Sequence, residues 1–116
     1  MAAAFEGGEI IMLRGHRAVL VDGLSYMSKA GHEYHVPAGF EYDGASIPDF
    51  AWSIVGHPFM NGYIRPSALH DYLVINRWHT SQYVHNRLFE ALRVEKVAWW
   101  RAKTMHLAVN RFGPKW

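Results

Sequence analysis

Cysteine is absent from all 116 residues of this chain, which excludes disulfide cross-links and thiolate metal sites. Histidine and carboxylate are then the strong metal ligands that remain. The same absence fits folding in a reducing cytoplasm. Long apolar runs are also missing: none approaches the roughly 20 residues that a membrane-spanning helix requires. Met1 to Gly8 holds no basic stretch followed by a long apolar segment, so no secretory signal is visible. There is no internal repeat, low-complexity tract or linker. One domain over residues 1–116 is therefore expected, with one sizeable core. No phosphate-binding glycine loop is present, since Gly7-Gly8 stands alone near the terminus.

Acidic residues thin out along the chain. Through Gly62 there are seven Asp or Glu and three Lys or Arg. From Tyr63 onward, Asp71, Glu90 and Glu95 stand against nine Lys or Arg. A basic, aromatic surface can bind nucleic acid. Here Arg87, Arg93, Lys96, Arg101, Lys103, Arg111 and Lys115 are spaced like the solvent faces of amphipathic helices, which is the favoured reading.

What is abundant is apolar: half the residues are hydrophobic and 15% are aromatic, which argues against disorder. The N-terminal third reads as strand. Arg17 to Val21 and Leu24 to Ser28 flank Asp22-Gly23, a pair suited to the tip of a tight hairpin. Glu9 to Leu13 and Glu33 to Val36 are expected as neighbouring strands, and Phe40-Glu41-Tyr42 as a short further one. Helices follow. Ile47-Pro48 opens a short turn through Phe50, Trp52 and Ile54, ended by Gly56. Pro66 suits a first helical turn, with Leu69, Tyr72 and Leu73 facing inward. Thr80 or Ser81 caps a third helix carrying Val84, Leu88 and Leu92. Ala98, Ala102, Met105, Val109 and Phe112 mark the last, stopped by Gly113-Pro114. The expected fold class is α+β: an N-terminal antiparallel hairpin or meander, then a small helical bundle.

The polar candidates gather in two places, the loop Asp43-Gly44-Ala45-Ser46 and the pair His70-Asp71. Structurally, Asp43 can close an Asx turn and Ser46 can cap a helix. His70 can hydrogen-bond Asp43, while Asp71 caps or pairs with an arginine. Catalytically, Asp43, Ser46, His70 and Asp71 form a candidate polar cluster converging on one pocket. Asp43, His70 and Asp71, helped by His79, His85 or Asn86, are candidate ligands for a divalent metal such as zinc, which would activate water for hydrolysis. A triad of Ser46, His70 and Asp43 is a weaker option, because no G-x-S-x-G elbow surrounds the serine. His16, His32, His35, His57 and His106 lack ligand spacing. Among five tryptophans, most are expected to pack. Trp99 and Trp100 point about 100° apart on one helix, so one is expected outside as a partner contact. Trp78 and Trp116 suit either role.

Phe40 to Pro48, Ala68 to Leu73, Arg87 to Leu92 and Met105 to Gly113 together resemble a family of small uncharacterised proteins, a domain of unknown function found mainly in tailed bacteriophages and prophages. The resemblance covers about residues 33 to 113. Its pattern often has Asp where Asn86 stands, and an amide is a poorer ligand. It implies a phage-associated accessory or virion protein, located in host cytoplasm or particle, whose partners are other phage proteins. That leading expectation acts through protein contacts at Trp99 and Trp100. The alternative is a small metal-dependent hydrolase acting on cell-wall material.

Overall fold

A computed structural model describes Ala2–Trp116. Six short strands come first: β1 (Ala4–Gly7), β2 (Ile10–Leu13), β3 (Arg17–Leu20), β4 (Leu24–Met27), β5 (Glu33–Val36) and β6 (Glu41–Tyr42). Four helices follow: α1 (Asp49–Val55), α2 (Ile64–Asn76), α3 (Ser81–Val94) and α4 (Trp99–Phe112). The class is α+β, as the periodicities predict. The strands form two antiparallel three-stranded sheets, ordered β1-β4-β5 and β2-β3-β6.

This topology corrects one expectation. Asp22-Gly23 is not a hairpin tip, because β3 and β4 pair with other strands in different sheets. It is a crossover between the sheets, tied to the other such crossover, from β1 to β2. Gly8 N–H donates to the Gly23 carbonyl at 2.8 Å, and Val21 N–H donates to the Glu9 carbonyl at 2.9 Å. A Cβ on Gly23 would sit 2.9 Å from the Val36 carbonyl oxygen, and its φ is +81°. A two-residue turn signal reports a sharp change of direction and says nothing of which strands then pair. β1 carried no signal of its own in the sequence.

Helix ends follow local chemistry. The Thr80 side chain accepts the Tyr83 N–H at 3.2 Å and starts α3. Gly56 closes α1, with its N–H on the Trp52 carbonyl. Pro66 sits in the first turn of α2, where its missing N–H has no partner to lose.

Burial is divided between two clusters rather than one core. In the first, the sheets supply Leu20, Leu24, Tyr26, Val36 and Tyr42, packed on Leu69, Leu73 and Val84. In the second, Ile47, Trp52, Tyr63, Leu88, Leu92, Met105 and Val109 join the helices. α3 serves both, through Val84 and Ala91 on one side and Leu88 and Leu92 on the other. α2 and α4 pack against it from either flank. No described helix is long and apolar enough to cross a membrane.

Candidate functional site

The loop between β6 and α1 begins with Asp43, whose Oδ1 accepts the Ala45 N–H at 2.8 Å in the Asx turn its sequence suggests. Gly44 has φ +78°, and a Cβ there would sit 2.6 Å from Pro58 Cγ, so both backbone angle and space demand glycine. This turn drops Ser46 and the Gly44 N–H toward α2. There Asp71 Oδ2 accepts the Gly44 N–H at 3.0 Å, and Asp71 Oδ1 is bonded to Ser46 Oγ. Ser46 Oγ also lies 2.9 Å from His70 Nδ1. His70 Nε2 lies 2.9 Å from His85 Nδ1 on α3, and His85 Nε2 lies 2.9 Å from the Pro114 carbonyl beyond α4. One continuous polar chain therefore runs from the loop through two helices to the C-terminal segment.

It is deeply enclosed. His70 and His85 are each 1% exposed and Asp71 is 6% exposed. Burial, with His85 beside it, pushes the His70 pKa down to about 3. Burial pushes Asp71 up to about 6, reinforced by the charge of Asp43 and opposed by hydrogen bonds from Ser46 and Gly44. Burial also lowers His85, against the pull of the Pro114 carbonyl.

At one end of the chain Ser46 Oγ–H donates to Asp71 Oδ1, a bond that favours the carboxylate form. At the other end the Pro114 carbonyl can only accept, so His85 Nε2–H donates to it. The Ser46 Oγ–His70 Nδ1 and His70 Nε2–His85 Nδ1 links between them take their directions from the imidazole tautomers.

The sequence candidates can now be placed. Ser46, His70 and Asp71 do converge. Asp43 is adjacent but outside the hydrogen-bond chain: it is exposed and faces a cavity on the other side of the loop. His70 therefore bonds Ser46 and His85 rather than Asp43, and Asp71 meets the loop rather than an arginine. The arrangement is not a triad, since the carboxylate sits on the serine and the far imidazole nitrogen meets another histidine. Asp43, His70 and Asp71 do not fit a metal as they stand, because both His70 nitrogens are engaged and Asp43 turns away. No described group of three or more His, Asp or Glu is disposed to hold an ion. Of the auxiliary candidates, His85 belongs to the chain and His79 does not: its ring stacks on Tyr83. Asn86 faces His106 Nε2 at 2.9 Å, away from the cluster. Pro114, whose role is a backbone carbonyl, carried no sequence signal.

The aromatic surface departs from expectation. Trp99 and Trp100 are both outside, at 58% and 52% exposure, and Trp78 is exposed as well. Of the five tryptophans, only Trp52 is buried, while Trp116 is half-buried with its Nε1–H on the His79 carbonyl at 2.7 Å. Phe112, assigned to the inner stripe, is 61% exposed and meets Phe50 edge to face at 5.3 Å. The packed stripe of α4 is Ala102, Met105, Ala108 and Val109, which leaves its ends free.

A family model described as protein of unknown function (DUF1353) matches residues 18–109. Uncharacterized protein y4jT of Sinorhizobium fredii is 37% identical over 97 residues, covering 84% of this chain and 29% of that protein. Uncharacterized protein y4iH of the same organism is 29% identical over 101 residues, covering 87% of this chain and 42% of that protein. The chain thus spans less than half the length of these curated relatives. No solved structure matches the chain.

Proposed function

The chain belongs to the family described as protein of unknown function (DUF1353), and within it we propose a protein-contact module that binds through the outer face of α4. The observation that carries this reading is the adjacent pair Trp99 and Trp100, both more than half exposed at the start of that helix. Large aromatics held outside a core are the residues from which interface hot spots are built. The sequence that carries them is basic. From Lys96 to Trp116 there are five Lys or Arg and no Asp or Glu. Among the described residues none of those five cations forms an ion pair. Arg101 lies over the Trp100 ring at 5.1 Å. The partner surface that complements this face is acidic with apolar side chains. In the setting that the motif resemblance implies, the partner is another phage or prophage protein.

The test uses defined variants side by side. Protein captured by the parent chain should be lost with Trp99→Ala plus Trp100→Ala, and weakened by Arg101→Glu plus Lys103→Glu. Capture should also fall as salt rises. If both variants retain the same partner, α4 is not the contact surface. A partner that proves to be nucleic acid would overturn the protein assignment.

The hydrolase reading keeps one observation in its favour, the 2.9 Å contact between Ser46 Oγ and His70 Nδ1. Against it stand the burial of His70 and the placement of Asp71 on the serine rather than on the imidazole. Release of peptidoglycan fragments that is abolished by Ser46→Ala would reverse the order of the two readings. Elemental analysis of protein purified without chelator tests the metal-dependent form directly.

A further inference from the structure

The loop singled out in the sequence has two faces, and the hydrogen-bond chain uses only the inner one. Its outer face, Asp43, Gly44 and Ala45, lines an open cavity of about 810 Å³ whose wall also includes Asp49, Trp52, Pro58 and Phe59. This volume lies in the range of small-molecule sites. Two features give it a chemical preference. The charged side chains on its wall, apart from His16 and His57, are the carboxylates of Asp43 and Asp49. Among the described residues neither carboxylate is in an ion pair, although the chain as a whole carries a net charge of +2. The Asx turn occupies one oxygen of Asp43 and leaves the other free. Trp52 and Phe59 add aromatic surface to the same wall, and aromatic faces attract cations. Trp52 is held in place by its Nε1–H on the Gly44 carbonyl at 3.3 Å.

We propose that this cavity binds an organic cation, a primary ammonium or guanidinium group carried on an apolar chain. The carboxylates meet the charge, and the aromatic wall meets the chain. This site is independent of the α4 surface. The cation can belong to a free amine or to a basic side chain of a peptide, and the two sources are separable by experiment.

The experiment is NMR titration at pH 8, following the Trp52 indole N–H, which reports directly on the cavity wall. Hexylammonium, hexanol and hexanoate share one apolar chain and differ in charge. Hexylammonium should shift the Trp52 resonance saturably with one site per chain, with hexanol at least 10-fold weaker and hexanoate weaker still. Asp43→Asn preserves the Asx turn while removing charge. Combined with Asp49→Asn it should lower hexylammonium affinity at least 10-fold, with an unchanged circular dichroism spectrum. Each single variant should lose part of that effect. Glu33→Gln, on β5, should bind as the parent does. Nα-acetyl-L-lysinamide binding as tightly as hexylammonium would identify a basic side chain as the source, and its failure would identify a free amine. Hexanol matching hexylammonium on the parent protein would overturn the proposal without recourse to any variant. So would an unaltered affinity in the double variant, or the absence of a saturable shift at Trp52.

Discussion

Asp71 is the residue on which the loop, α2 and the polar chain depend together. Replacing it with alanine strands the buried Gly44 N–H and removes one partner of the part-buried Ser46. Asp71→Ala should cost about 1–3 kcal/mol in urea unfolding. Its titration is equally specific. The carbon-13 resonance of the Asp71 carboxyl should move with a midpoint at about 6, displaced from 3.8 chiefly by burial. Ser46→Ala removes a bond that lowers this value, so the midpoint should rise; Asp43→Asn removes a charge that raises it, so the midpoint should fall. Stability follows the same groups with opposite signs. His70 sits at about 3 in the fold against 6.5, so its contribution is present above 6.5 and lost as pH falls toward 3. The raised Asp71 contributes fully below 3.8 and loses that contribution as pH climbs through 6. His85 and His106 are also lowered and side with His70. Unfolding free energy should therefore decline below about pH 6.5, and more steeply between 6 and 4 in Asp71→Asn, which lacks the opposing group.

At the scale of elements, the loop from Asp43 to Pro48 and the capped start of α3 are the points where a small change acts locally. Gly44→Ala forces a side chain into the left-handed region, at about 1–2 kcal/mol, and drives Cβ against Pro58. Its total cost should exceed that figure, and the Trp52 indole N–H should shift because its acceptor is the Gly44 carbonyl. Thr80→Ala deletes the acceptor for the Tyr83 N–H and should cost about 1 kcal/mol. The comparison separates a loop that is sterically fixed from a helix end that is merely satisfied. If Gly44→Ala proves the milder of the two, the packing of Pro58 on the loop is not the constraint described.

Across the whole molecule, two clusters of buried side chains meet at α3, and the polar chain ties α2 to α3 from His70 to His85. Buried polar links of this kind specify which surfaces pack together, at some expense of what apolar residues would contribute there. The outer aromatic residues contribute little to either cluster. Trp99→Ala combined with Trp100→Ala should leave thermal unfolding within about 0.5 kcal/mol of the parent, as surface changes do. A loss well beyond that would mean the pair supports the fold and is not a free contact surface.

Much of the helical half was legible in the residues themselves. Thr80, Pro66, Gly56 and Gly113 mark ends through local backbone chemistry, which needs only near neighbours. The inward positions of Leu69, Leu73, Leu88 and Met105 follow from helical spacing in the same way. The Asx turn at Asp43 was legible in the same way, and the sequence grouped Asp43, Ser46, His70 and Asp71; the last three meet, while Asp43 closes the turn and faces outward. Tertiary structure decided the rest, for reasons that spacing does not encode. Strand partners are chosen by long-range pairing, so Asp22-Gly23 became a crossover between sheets. The orientation of His70 toward His85, and of His85 toward a backbone carbonyl, depends on how α2, α3 and the C-terminal segment pack. Phe112 sits where the repeat predicts burial, but the ring it meets, Phe50 of α1, is itself exposed and leaves it 61% exposed. Whether an apolar residue is buried is settled by what the fold brings above it, and no local pattern carries that information.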